Sequence, residues 1–199
     1  MQAIESQNLI LYQTDLRGQW PQEAAEAFAR RLPYARRLAL RPAGSAGHAS
    51  LAGIALALHA LTRLLSRIIE PGEIHFAAGE KPRLAAPAAD FSISHAGPWA
   101  ACAALLHGRV GLDVEVGTGQ RIAEFVVREA VLKASGAGLR AFQEIGELRM
   151  DAEHLQWRGE RWHLRRLEAF EGACACVASS CEVHAVETHA IAVTELFAS

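Results

Sequence analysis

The sequence predicts an α+β fold in two halves that meet near Glu115. Three observations support this. The apolar runs fall in the order strand, helix, helix, strands, and then helix, strands, which is not a repeating strand–helix unit. Two segments have the three-to-four spacing of amphipathic helices, whereas most others are short and strand-like. With 199 residues, 51% of them hydrophobic, the chain can bury one substantial core or two small lobes sharing one. Divided at the turn His107-Gly108, the halves are residues 1–108 and 109–199. No residue-level internal repeat accompanies the division.

Asn8 to Tyr12 is an apolar burst suited to a first strand. Pro21 then opens a helix through Ala25, Phe28 and Leu32, because proline is tolerated in a first helical turn. Pro33 to Gly47 reads as irregular, ending in a loop over Arg41-Pro42-Ala43-Gly44-Ser45-Ala46-Gly47. A helix is expected from about His48 to Ile68, with Leu51, Ile54, Ala55, Leu58, Leu61 and Leu65 on one face, stopped by Pro71-Gly72. Strands are expected at Ile74 to Phe76 and Phe91 to Ser94. Trp99 to Leu106 is expected to pair with Arg109 to Glu115 across His107-Gly108. A further helix runs from about Arg121 to Ser135, with Gly136-Ala137-Gly138 as its stop. Leu155 to Trp157 and Arg161 to Leu167 form a hairpin, and Ala173 to Val177 and Ala190 to Val193 add the last strands.

Twenty basic and twenty-two acidic side chains give a formal charge of −2. That balance argues against nucleic-acid binding by bulk charge, which needs a concentrated basic surface. High hydrophobicity with low net charge argues against disorder. The apolar stretch Ala49 to Leu65 contains His59, Thr62 and Arg63 and reads as a folded helix, so no membrane segment is expected. The N-terminus lacks the basic start and apolar run of a secretory signal. Cys102, Cys174, Cys176 and Cys181 do not form a disulfide-framework pattern. The expectation is a reduced, cytoplasmic protein. The Cys174-x-Cys176 spacing suits a zinc site poorly, so these cysteines are expected to pack in a core, as are Trp157 and Trp162 beside their hairpin turn.

Chemistry concentrates in the middle of the chain. In Val110-Gly111-Leu112-Asp113-Val114-Glu115, a strand places Asp113 and Glu115 on one face and Leu112 and Val114 on the other. Adjacent carboxylates repel unless a cation lies between them, so the pair is either a solvated strand end or a hard-cation site, with Mg²⁺ the natural occupant. On the later helix, Glu129 and Lys133 are one turn apart and share a face. They are either a surface ion pair or the completion of that cluster, with Lys133 meeting a phosphate. In Phe91-Ser92-Ile93-Ser94-His95-Ala96-Gly97, the serines form a small polar face leading into His95 and a glycine turn, which suits a phosphate. Adjacent residues of a strand point apart, so Ser94 and His95 make a poor nucleophilic pair. Upstream, Gly79-Glu80-Lys81-Pro82-Arg83-Leu84 is a turn bearing two cations.

Taken in order, four pieces resemble the 4'-phosphopantetheinyl transferase superfamily. They are the Gly/Lys/Pro turn, Phe-x-x-Ser-His, Gly-x-Asp-x-Glu, and a helix reading aromatic-x-x-basic-Glu-Ala-x-x-Lys-x-x-Gly-x-Gly. The similarity is best to the larger, synthetase-activating type and covers roughly Leu51 to Leu139. The resemblance implies two similar α/β halves forming a pseudo-dimer in one chain, so that a monomer is possible, with coenzyme A in the cleft between them. It implies that the serine of an apo acyl, peptidyl or aryl carrier protein attacks the pantetheine-side phosphate and releases 3',5'-ADP. Asp113, Glu115 and Glu129 would hold Mg²⁺, placing the metal site in the C-terminal half. Glu129 would also act as general base, Lys133 would neutralise the transferring phosphate, and His95 would join them as the third catalytic group. Lys81, Ser94, His95 and Lys133 would hold coenzyme A. Phosphoryl transfer is mainly positioning and charge neutralisation, which such a set supplies.

The sequence departs from this pattern in two places. Val116-Gly117-Thr118-Gly119-Gln120 stands where larger members carry a longer segment that helps contact the carrier and adds an acidic residue. The basic residue expected ahead of the helix glycine, Gly53, falls near Ala49, beside His48, leaving Arg36, Arg37 or Arg41 to meet a coenzyme A phosphate. The shortened segment motivates an alternative: a catalytically reduced homologue that binds coenzyme A or a carrier without transfer.

Overall fold

A computed structural model describes residues 7–40, 45–77, 80–86, 88–145 and 153–198. Strand β1 (Gln7–Asp15) is followed by α1 (Gln22–Arg31), α2 (Tyr34–Ala39) and α3 (Ser45–Leu65). A short pair, β2 (Ile74–His75) and β3 (Arg83–Leu84), leads into β4 (Asp90–Ala96) and β5 (Trp99–Leu105). Then come β6 (Val110–Val116), α4 (Gln120–Ser135), β7 (His154–Trp157), β8 (Glu160–Leu167), β9 (Ala173–Ser179) and β10 (Val183–Ala190).

The α+β class expected from the sequence is what the chain adopts. Two four-stranded sheets, ordered β10-β1-β5-β4 and β6-β9-β8-β7, pack face to face, with α3 outside the first and α4 outside the second. Strand periodicity explains this layering. In β5, Ala100, Cys102 and Ala104 join the core under α3, while Ala101, Ala103 and Leu105 join the core between the sheets. In β6, Val110, Leu112 and Val114 face that inter-sheet core and the odd-numbered residues face α4. Gly111 is what lets α4 settle there, because a Cβ on it would lie 1.9 Å from the Ala130 carbonyl oxygen.

Several expectations need correction. β5 and β6 do not form a hairpin: β5 already lies between β1 and β4, and β6 pairs with β9 in the other sheet. The last strand is Val183–Ala190 rather than Ala190 to Val193, and it runs parallel to β1, so the C-terminal segment completes the first sheet. The stretch from Pro33 is not wholly irregular, since α2 forms within it, and α3 begins at Ser45 rather than His48. Residues 41–44 of the expected loop lie outside the described residues, as does Gly79.

The expected helix stop and the core packing of the two tryptophans hold. Gly136 ends α4 in the left-handed conformation, at φ 74°. Gly47–Leu65 of α3 is long and apolar enough to cross a membrane by composition; here Ala52, Leu56, Ala57, Ala60 and Leu61 are fully buried beneath the first sheet. All four cysteines are free. Burial pushes the Cys176 thiol up to about 12, which keeps it protonated and makes it a core residue. Trp157 and Trp162 are buried in the core under α4.

Candidate functional site

β4 and β6 are edge strands of different sheets, and they meet without a backbone ladder. Instead, alternate side chains of β4 accept the outward N–H groups of β6. Val110 N–H donates to Asp90 Oδ2 at 2.7 Å, Leu112 N–H to Ser92 Oγ at 3.0 Å, and Val114 N–H to Ser94 Oγ at 3.2 Å. Edge donors that would otherwise be orphaned in the interior are thereby satisfied. The small polar face read from the sequence as a phosphate grip is therefore first a seam between two sheets.

At one end of the seam, Lys81 Nζ donates to Asp90 Oδ2 at 2.5 Å and to the Val110 carbonyl at 2.7 Å. Its side chain is 16% exposed, and burial lowers its proton affinity against the opposing pull of Asp90. Lys81 is thus committed to the seam and does not line the cleft described next.

At the other end the seam opens into a cleft of about 470 Å³, lined among others by Arg36, Ser94, His95, Asp113, Glu115, Glu129 and Lys133. β4 supplies Ser94 and His95, β6 supplies Asp113 and Glu115, α4 supplies Glu129 and Lys133, and α2 supplies Arg36. The close packing at Gly111 brings α4 down onto β6, so that Lys133 Nζ donates to Asp113 Oδ1 at 2.6 Å and to Ser94 Oγ at 3.1 Å. Ser94 Oγ donates its proton to Asp113 Oδ1 at 3.0 Å. A hydroxyl has one donor and two acceptor sites. Ser94 uses all three, on Asp113, Val114 and Lys133, and so serves here as a brace rather than a free phosphate contact.

Asp113 is only 3% exposed, and its Oδ2 is buried with no hydrogen-bond partner, as is Glu129 Oε1. An unpaired buried carboxylate oxygen is costly. Accordingly, Glu129 is raised above the usual carboxylate range, first by burial and then by Asp113, with Lys133 opposing. Glu115 is raised for the same reasons in the same order. Anionic oxygens lacking donors are suited to a hard divalent cation, and Mg²⁺ commonly takes only one or two carboxylates besides substrate phosphate. The residues fit such an ion in donor type. Among the described residues, however, no three His, Cys, Asp or Glu side chains converge to hold a metal. The Lys133 ammonium is what sits against Asp113.

The cationic wall faces these carboxylates. His95 is held below its ordinary range by burial first, then by Lys133, with a smaller contribution from Arg36. Arg36 Nη2 donates to Ser50 Oγ at 2.7 Å, its guanidinium lies 4.9 Å from the Phe76 ring centroid, and its Nε is buried without a partner. Asp113, Glu115, Glu129, Lys133, Ser94 and His95 are thus brought together, and Lys81 is not. Arg36 takes a more central place than its sequence context suggests. The sequence offers it only as one of three arginines, with Arg37 and Arg41, able to replace the basic residue missing ahead of Gly53.

The chain matches no family model and no curated protein.

Proposed function

We propose that this protein is a Mg²⁺-dependent 4'-phosphopantetheinyl transferase that loads an apo carrier protein from coenzyme A. The observation that carries the reading is the convergence of Asp113, Glu115, Glu129 and Lys133 from β6 and α4 on one cleft that also holds His95 and Arg36. Single carboxylate oxygens without donors, on Asp113 and Glu129, beside fixed cations suit a metal-bound diphosphate. Asp113 and Glu129 would hold Mg²⁺, with Glu115 beside them, and the ion would supply charge neutralisation on the diphosphate. In the reaction, the carrier serine oxygen forms a bond to the pantetheine-side phosphorus, and the bond from that phosphorus to the oxygen of 3',5'-ADP breaks. The serine proton passes to Glu129, directly or through water. The raised proton affinity of Glu129 suits it to that task. Lys133 and His95 offset charge on the phosphates, and Arg36 offers the guanidinium that Lys81 does not. One long helix outside each four-stranded sheet supports a pseudo-dimer of similar halves, with β10 crossing from the C-terminal half to complete the first sheet. A cytoplasmic setting accords with four free cysteines.

A second reading is a homologue that binds coenzyme A or a carrier without transfer. The Lys133–Asp113 ion pair favours it, because it occupies a carboxylate oxygen that a metal would use. Incubation with coenzyme A, Mg²⁺ and a panel of apo carrier proteins, followed by intact-mass spectrometry, separates the two. Transfer adds the phosphopantetheine mass to a carrier. No gain on any carrier, with coenzyme A still bound, supports the second reading.

A further inference from the structure

Helix α2 has no buried residue. Tyr34 and Leu38 lie one turn apart on it and are each 68% exposed. A helix this short is not stable by propensity alone, and large apolar side chains held side by side in water mark a surface that another molecule covers. The surroundings indicate what kind of molecule. From Ala27 to Leu40 the sequence contains Arg30, Arg31, Arg36 and Arg37 and no carboxylate, in a chain whose net charge is −2. Glu70 takes Arg31 at 2.9 Å. Arg37 donates to the Arg30 carbonyl at 3.3 Å, and its guanidinium lies 5.6 Å from the Tyr34 ring centroid. Among the described residues, neither Arg30 nor Arg37 has an ion-pair partner. The outer face of α2 is therefore an apolar pair flanked by unneutralised guanidiniums, while its inner face sends Arg36 into the cleft.

We infer that α2 is the docking surface for the acceptor protein, and that the acceptor presents an acidic segment with apolar side chains to it. This rests on the transferase reading above. A hydroxyl delivered to the cleft must come from a partner seated at its mouth, and α2 forms part of that mouth through Arg36. Carboxylates of the partner would pair with Arg30 and Arg37, and its apolar side chains would cover Tyr34 and Leu38. The mixture of apolar and cationic groups fits a protein face better than a nucleic acid, which would use the cations alone.

The test is steady-state transfer kinetics with a carrier that the unmodified protein loads, comparing it with Arg30→Glu and Leu38→Ser. Both positions are surface positions outside the cleft, and unchanged melting temperatures would establish that the variants fold. The carrier KM is expected to rise by about tenfold in each variant, as for an interface anchor, with kcat and the KM for coenzyme A unchanged. For the unmodified protein the carrier KM should rise with salt, and for Arg30→Glu that rise should flatten. An unchanged carrier KM in both variants would overturn the docking assignment and leave the transferase reading standing. So would binding to phosphatidylglycerol vesicles or single-stranded DNA that is lost in the variants while carrier loading is not. If the unmodified protein loads no carrier, the transferase reading fails and the docking assignment falls with it.

Discussion

The two ends of the β4–β6 seam are built from the same kinds of group and differ in how completely those groups are paired. At the far end, Lys81, Asp90 and the Val110 backbone satisfy one another, and Lys81 has no part in the cleft. At the near end, Ser94 braces Asp113 and Lys133, yet Asp113 Oδ2 and Glu129 Oε1 are left buried without donors. A lysine beside an aspartate is thus a closed structural joint in one place and part of an incomplete constellation in the other. Residue type does not distinguish them; the count of unmet donors and acceptors does. The chemistry of this protein is to be sought where the seam runs out of partners.

The largest expected effect tests the open end. Asp113→Asn should lower transfer by at least about a hundredfold, in the range seen when one preorganised charge-stabilising group is lost, with the circular dichroism spectrum unchanged. A rate within a few-fold of the unmodified protein would remove Asp113 from the chemistry. The closed end should behave in the opposite way. Lys81→Met is expected to cost about 2 kcal/mol of stability by leaving the partly buried Asp90 without its cation, measured by urea denaturation, and to leave the coenzyme A KM unchanged. Adding Asp90→Asn removes the stranded charge while keeping an acceptor for Val110 N–H, so the double variant should recover part of that loss. A rise in coenzyme A KM for Lys81→Met without loss of stability would show that Lys81 leaves the seam to meet phosphate, and the contrast between the two ends would dissolve.

Between the ends, Ser92→Ala orphans the Leu112 N–H and should cost about 1–2 kcal/mol, with transfer at saturating substrate nearly unchanged. The smallest effect concerns His95, whose proton affinity is lowered by burial, Lys133 and Arg36. A bound polyanion offsets those cations and raises its pKa, so binding takes up protons. Coenzyme A affinity should then weaken as pH rises through the His95 transition in the complex, by less than about tenfold. Calorimetry in buffers of different ionisation heat reads the proton uptake directly, and His95→Gln should abolish it.

How much of this was legible in the sequence depends on how local each signal is. The helical stripes of α3 and α4, and the alternation that puts Asp113 and Glu115 opposite Leu112 and Val114, are read within a few residues and stand as expected. The β5–β6 hairpin was misread because two apolar runs around His107-Gly108 carry a hairpin's local signature. What excludes it is non-local: β5 already has β1 and β4 on its two edges. The sequence hides β10 because its exposed positions, among them His184 and Thr188, carry polar side chains that mask an edge strand. α2 offers no periodic signal, since it buries nothing. The roles of Lys81 and Arg36 depend on which carbonyls and carboxylates lie nearby after folding, and spacing along the chain does not encode that.

The parallel pairing of β10 with β1 has a consequence for how the molecule is made. β1 gains this second partner only after every other strand of both sheets has been made, and Phe197 beyond β10 packs against Trp20 and Phe28. During synthesis the first sheet must therefore wait, with one flank of β1 bare, until β10 leaves the ribosome. Contacts so distant in sequence slow folding and prolong the exposure of sticky intermediates. Deleting β10 would injure β1 before it reached the β6–β9 sheet.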